Sequence, residues 1–135
     1  MAIFITNGTQ TVTANSLVPL TGDSRAKCIV HDLGSGQVGL RGLTKQCSAR
    51  YRVSFTGNIA AATAGGAITL ALTNNGEVIS GASMTVTPAN ASNLFNVSAI
   101  TEIVVPQGMT TQVAVKNTSS QSVTVDGTLA VTRIA

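Results

Sequence analysis

At 135 residues the chain has the length of one domain, and it can bury a core without disulfide or metal staples. It is 44% hydrophobic and 10% charged, against about 25% charged in an ordinary globular domain. That shortage leaves two ways to coat the molecule: Thr, Ser, Asn, Gln and Gly on a monomer, or neighbouring subunits over apolar surface. The second is the easier, because large apolar patches mark interfaces.

The formal net charge of +3 is unevenly held. Arg25, Lys27, Arg41, Lys45, Arg50 and Arg52 fall in one window whose only acid is Asp32. Such a window suits an acidic partner surface, or solvated loops. Stacking platforms for nucleic acid are scarce, with no Trp, one Tyr and three Phe, so direct nucleic-acid binding is not expected. Met1 to Asn7 has neither a basic segment nor an apolar run long enough for a signal peptide. No stretch approaches a membrane span. Synthesis and folding in a cytosol follow as expectations, with Cys28 and Cys47 reduced and partly buried.

In chain order, Val12 to Leu20 contains Leu17-Val18-Pro19-Leu20, which reads as an edge strand ended by proline. Cys28-Ile29-Val30 and Val38-Gly39-Leu40 read as short strands around Gly34-Ser35-Gly36. From residue 52 onward the apolar period is two: Val53 and Phe55, then Ile68, Leu70 and Leu72, then Met84 and Val86. Phe95 and Val97, Val113 and Val115, Val123 and Val125, and Leu129 and Val131 continue it. Ala60 to Gly66 reads as a flexible end loop, and Asn74-Asn75-Gly76 as a tight hairpin. Pro106-Gln107-Gly108, Asn117 to Gln121 and Asp126-Gly127 read as further turns. Short strands at this spacing predict an all-β, antiparallel β-sandwich or jelly roll of about 8–10 strands. No linker divides residues 1–135.

Catalytic chemistry finds little footing. The carboxylates are Asp23, Asp32, Glu77, Glu102 and Asp126, and their scatter gives no converging pair. His31 is the only histidine; Asp32 beside it on a strand points to the opposite face and is badly placed to orient it. Gly34-Ser35-Gly36 lacks the Gly-Lys-Ser/Thr of a phosphate loop. Two cysteines and one histidine do not make a metal site. The expectation is a non-enzymatic chain with no cofactor, no metal and no membrane partner. For glycans, Tyr51 is the one plausible platform, and a subunit interface is the better place for it.

The runs Val38-Gly39-Leu40-Arg41-Gly42, Tyr51-Arg52-Val53-Ser54-Phe55-Thr56-Gly57-Asn58-Ile59 and Ile103-Val104-Val105-Pro106-Gln107-Gly108 resemble a family, as do Ile79 to Ala89 and Val131 to Ala135. It comprises the small C1q/TNF-like jelly-roll proteins encoded beside structural genes in phages and prophages of gut Firmicutes. The resemblance covers roughly residues 35–135. It implies a virion component, typically a homotrimer, without catalytic residues: a capsid decoration or head-fibre protein, or else a fibre-tip adhesin for a host receptor or glycan. It implies that the strand bearing Arg50, Tyr51 and Arg52 and the strand from Thr128 to Ile134 lie near the centre of the subunit or the three-fold. Candidate interface residues are therefore Arg41, Arg50, Tyr51, Arg52 and Arg133. Arg25, Lys27 and Lys45 are candidates for contact with a major capsid protein or fibre component. Residues 1–30 match less well and suit an attachment or edge segment.

Overall fold

A computed structural model describes residues 2–22, 30–34, 36–42, 47–63 and 65–134, without the side chains of 30–34. Every regular element among them is a strand: β1 (Ala2–Ile5), β2 (Gln10–Val12), β3 (Thr21–Gly22), β4 (Val30–Gly34), β5 (Gln37–Arg41), β6 (Ser48–Ala61), β7 (Ile68–Asn74), β8 (Glu77–Val86), β9 (Phe95–Pro106), β10 (Thr110–Asn117) and β11 (Val123–Arg133). They form two antiparallel sheets. One has the order β3-β1-β11-β6-β9, with β2 also on β11; the other has the order β4-β5-β10-β7-β8. The excess over the expected strand number lies in the stubs β2 and β3.

The sheets pack through their alternating apolar faces. Phe4, Leu129 and Phe55 sit in register across β1, β11 and β6, all fully buried. From the other sheet Val113, Val115, Leu70 and Leu72 join the same core. Period-two alternation has this outcome when one face of each strand is desolvated.

Two expected turns are present. Asn75 and Gly76 link β7 to β8 with φ of 52° and 88°, the pair of positive values a two-residue type I′ hairpin requires. At the other, the Met109 N–H donates to the Pro106 carbonyl over 3.0 Å, with Gly108 at φ 73°. Asn117 closes a third. Fully buried, its Nδ2 donates to the carbonyls of Val12, Thr13 and Gln121, and its Oδ1 accepts from Ser119. One amide thus ties the amino-terminal segment to the β10–β11 turn.

Other expectations are corrected. Asp126-Gly127 is not a turn but the middle of β11, paired with Asn58 and Gly57. A Cβ on Gly127 would lie 2.6 Å from Cζ of Phe55 and 2.9 Å from the Thr56 carbonyl oxygen. The glycine therefore makes room for the ring. Ala60 and Ala61 belong to β6, paired with Thr124 and Val123. Leu17 makes a single bridge to Lys116 rather than an edge strand, because the chain turns at Asn15 (φ 63°) and Pro19 has no N–H to extend the ladder. Phe95, whose alternation with Val97 predicts burial, is the first residue of β9 and is exposed. The Gly127→Ala variant should lose about 1–3 kcal/mol through overpacking against Phe55. The loss would appear as a lower urea midpoint with unchanged slope.

Candidate functional site

The outer face of the six-stranded sheet departs from the usual alternation of apolar inside and polar outside. Pairing places Ile3, Ala130, Ser54 and Ile100 in one row across β1, β11, β6 and β9. The row beside it is Ile5, Thr128, Thr56 and Ser98. Ile3 is 46% exposed, Ile5 48%, Ile100 67% and Val104 51%. A shallow trough of about 470 Å³ runs between Ile3, Ile5, Thr21 and Gly22. The remaining positions are mostly short and neutral, and an ion pair, Arg52 to Glu102 at 3.4 Å, closes charge on itself. Half-exposed side chains of this size each forgo about 1 kcal/mol of burial.

Comparison with solved structures identifies the architecture. The globular domain of zebrafish complement 1qA protein matches with a TM-score of 0.67 over 99% of this chain and 96% of that one, at 12% identity. Eiger TNF from S. frugiperda matches with a TM-score of 0.63 over 99% and 91%, at 14% identity. The chain has the C1q/TNF jelly-roll fold. No family model matches it, and no curated protein sequence does.

In this C1q/TNF-like sandwich β6 and β11, which carry most of the candidate interface residues, are the inner strands of their sheet. Arg52 points outward and pairs with Glu102. Tyr51 does not reach any surface. It is 0% exposed, and its hydroxyl donates to the Arg41 carbonyl, joining the start of β6 to the end of β5. It is thus neither an interface residue nor a sugar platform but a strut between the sheets. Period two decides this: Tyr51 shares the inward parity of Val53 and Phe55. Arg133 stands opposite Tyr51 in the β6–β11 register, and the Ile134 N–H donates to the Arg50 carbonyl. Arg41, Arg50 and Arg133 are therefore gathered, all exposed, at one end of the sandwich. None has an ion pair among the described residues.

Arg25, Lys27 and Lys45 lie outside the described residues, as does Cys28; Cys47 is free and exposed. His31 and Asp32 share β4, with their side chains outside the description. Among the described residues no three His, Cys, Asp or Glu side chains group together. No helix there is long and apolar enough to cross a membrane. Sequence reasoning passed over Ile3, Ile5, Ile100 and Val104. The available signal was a strand apolar at both parities, such as Ile100, Ile103, Val104 and Val105, which marks burial on both faces.

Burial raises the Tyr51 phenol above its ordinary value, while the Arg133 guanidinium pulls it down by less. A phenol with a raised folded pKa contributes stability that is intact below the unfolded value near 10. That stability is lost as pH climbs through the folded value. The wild type should therefore lose stability on titration above about pH 10. Tyr51→Phe should remove that part of the slope in urea titrations, at the cost of about 1 kcal/mol for the missing hydrogen bond.

Proposed function

We propose that the chain is a non-enzymatic virion structural protein, a capsid decoration or head-fibre protein that forms a homotrimer through the outer face of its six-stranded sheet. The observation that carries the assembly is the row Ile3, Ala130, Ser54 and Ile100, with exposed Ile5 in the row beside it and exposed Val104 beyond the Arg52–Glu102 row. An apolar face of this kind is stable in water when copies of the chain cover it. The typical trimer of C1q/TNF-like jelly rolls supplies the number three. The resemblance of residues 35–135 to phage proteins supports the virion, assembled in a bacterial host cytoplasm.

With the sheet faces turned toward one another, the end carrying Arg41, Arg50 and Arg133 is presented three times by one trimer. That array suits an acidic surface on a major capsid protein or a fibre component. The guanidinium fork favours carboxylates held in pairs.

Two experiments test the reading. Light scattering should return three times the 13.7 kDa chain mass for the wild type and one chain for Ile100→Asp, which replaces the most exposed apolar side chain of the row with a charge. An Ile100→Asp protein that stays trimeric would remove that face from the interface. Electron microscopy of particles with and without the protein should show its density on the head. The double variant Arg41→Glu, Arg133→Glu should remain trimeric and lose that density. Particles that never bind the protein would overturn the virion role.

A further inference from the structure

The outer face of the five-stranded sheet, turned away from the proposed assembly face, carries a depression of about 160 Å³. Its floor is Thr73 and Ala114, cross-strand partners on β7 and β10 that are both nearly buried. The Thr73 hydroxyl donates to the Ala114 carbonyl, so its proton is already committed and the floor offers no hydroxyl donor. The walls are Asn15, Gln37, Gln112 and Lys116, brought in from three separate segments: the amino-terminal segment, β5 and β10. The amino-terminal segment is held there by the Val18 N–H donating to the Val115 carbonyl and the Asn117 N–H donating to the Ser16 carbonyl. Those bonds make one wall a fixed part of the fold.

The wall chemistry is specific. Among the described residues the side chains of Asn15, Gln37, Gln112 and Lys116 make no hydrogen bond or ion pair with the protein. Among the described residues no carboxylate lines the depression. The half-buried Lys116 ammonium offers donors only, and three amides each both donate and accept. A matching ligand needs an anionic oxygen at one side and groups that donate and accept at the other. A carboxylate beside vicinal hydroxyls meets both demands, in a volume suited to one sugar ring. We infer that this depression binds a terminal uronic acid residue of a glycan, with its carboxylate on Lys116 and its hydroxyls on Asn15, Gln37 and Gln112. Recognition is by hydrogen bonds and charge, without ring stacking, so a single site binds in the millimolar range, and several sites on one assembly add avidity. The inference goes beyond the proposed structural role by giving the alternative, adhesin reading a ligand class, and it does not depend on the number of subunits.

Titration of the labelled full chain, followed by heteronuclear NMR, tests it. D-glucuronate and D-galacturonate should shift the side-chain amides of Asn15, Gln37 and Gln112 and the backbone amide of Lys116 saturably. Neutral D-galactose should bind about tenfold more weakly or worse, having lost a charge-assisted bond. Acetate, which lacks the hydroxyls, should bind more weakly as well. Lys116→Gln should reduce uronate binding to the galactose level without moving the urea midpoint, and Gln112→Ala should weaken both sugars. Acetate binding as tightly as uronate would overturn the assignment. So would uronate binding unchanged in Lys116→Gln, or no saturable shift at these residues. A monomer that binds uronate contradicts only the assembly reading, and a trimer that ignores uronate contradicts only this one.

Discussion

The pairing of β6 with β11 sets where the other strands of the six-stranded sheet lie. From Val123 opposite Ala61 to Arg133 opposite Tyr51 the register runs without a slip. A shift of one residue would turn Val53, Phe55, Leu129 and Val131 out of the core together. The register also brings Gly57 opposite Gly127, the gap across which the Phe55 ring lies. Core packing and strand register thus enforce one another at a single ring. β1 and β9 then take their places on either side of this pair.

The same register decides the outer surface. Because the side chains alternate strictly, fixing the inner row fixes Ile3, Ala130, Ser54 and Ile100 as the outer one. A charge-poor chain has little to place there, and a face both apolar and flat is a surface for association. The face itself carries few charges: Arg52 and Glu102 neutralise each other beside the apolar row, and Arg50 lies toward the end where Arg41 and Arg133 also stand. The opposite sheet keeps its polar wall groups around Thr73 and Ala114. The molecule therefore separates three surfaces with different chemistry: an apolar face, a basic end and an amide-lined depression.

Much of this architecture was legible in the residues. Period two located the later strands, and Asn75-Gly76 and Gln107-Gly108 located hairpin turns, because positive φ and turn chemistry are local demands. Asp126-Gly127 misled because the same dipeptide serves a turn or a close approach of a ring, and only the partner strand tells which. The unbroken parity of Val123, Val125, Leu129 and Val131 held the answer. The first third was harder to read, since β1, β2 and Leu17 pair through short stubs and a single bridge with partners more than 90 residues away. Resemblance and chemical type both point Tyr51 to a surface, whereas its parity with Val53 and Phe55 places it inside. The depression was invisible for a different reason: Asn15, Gln37, Thr73 and Lys116 are adjacent only in space.

The central claim is that the outer face of the six-stranded sheet is covered by other copies of the chain. Sedimentation equilibrium of the wild-type protein at micromolar concentration tests it most directly. The account predicts a single species of three chains. A mass of one chain at that concentration would contradict it.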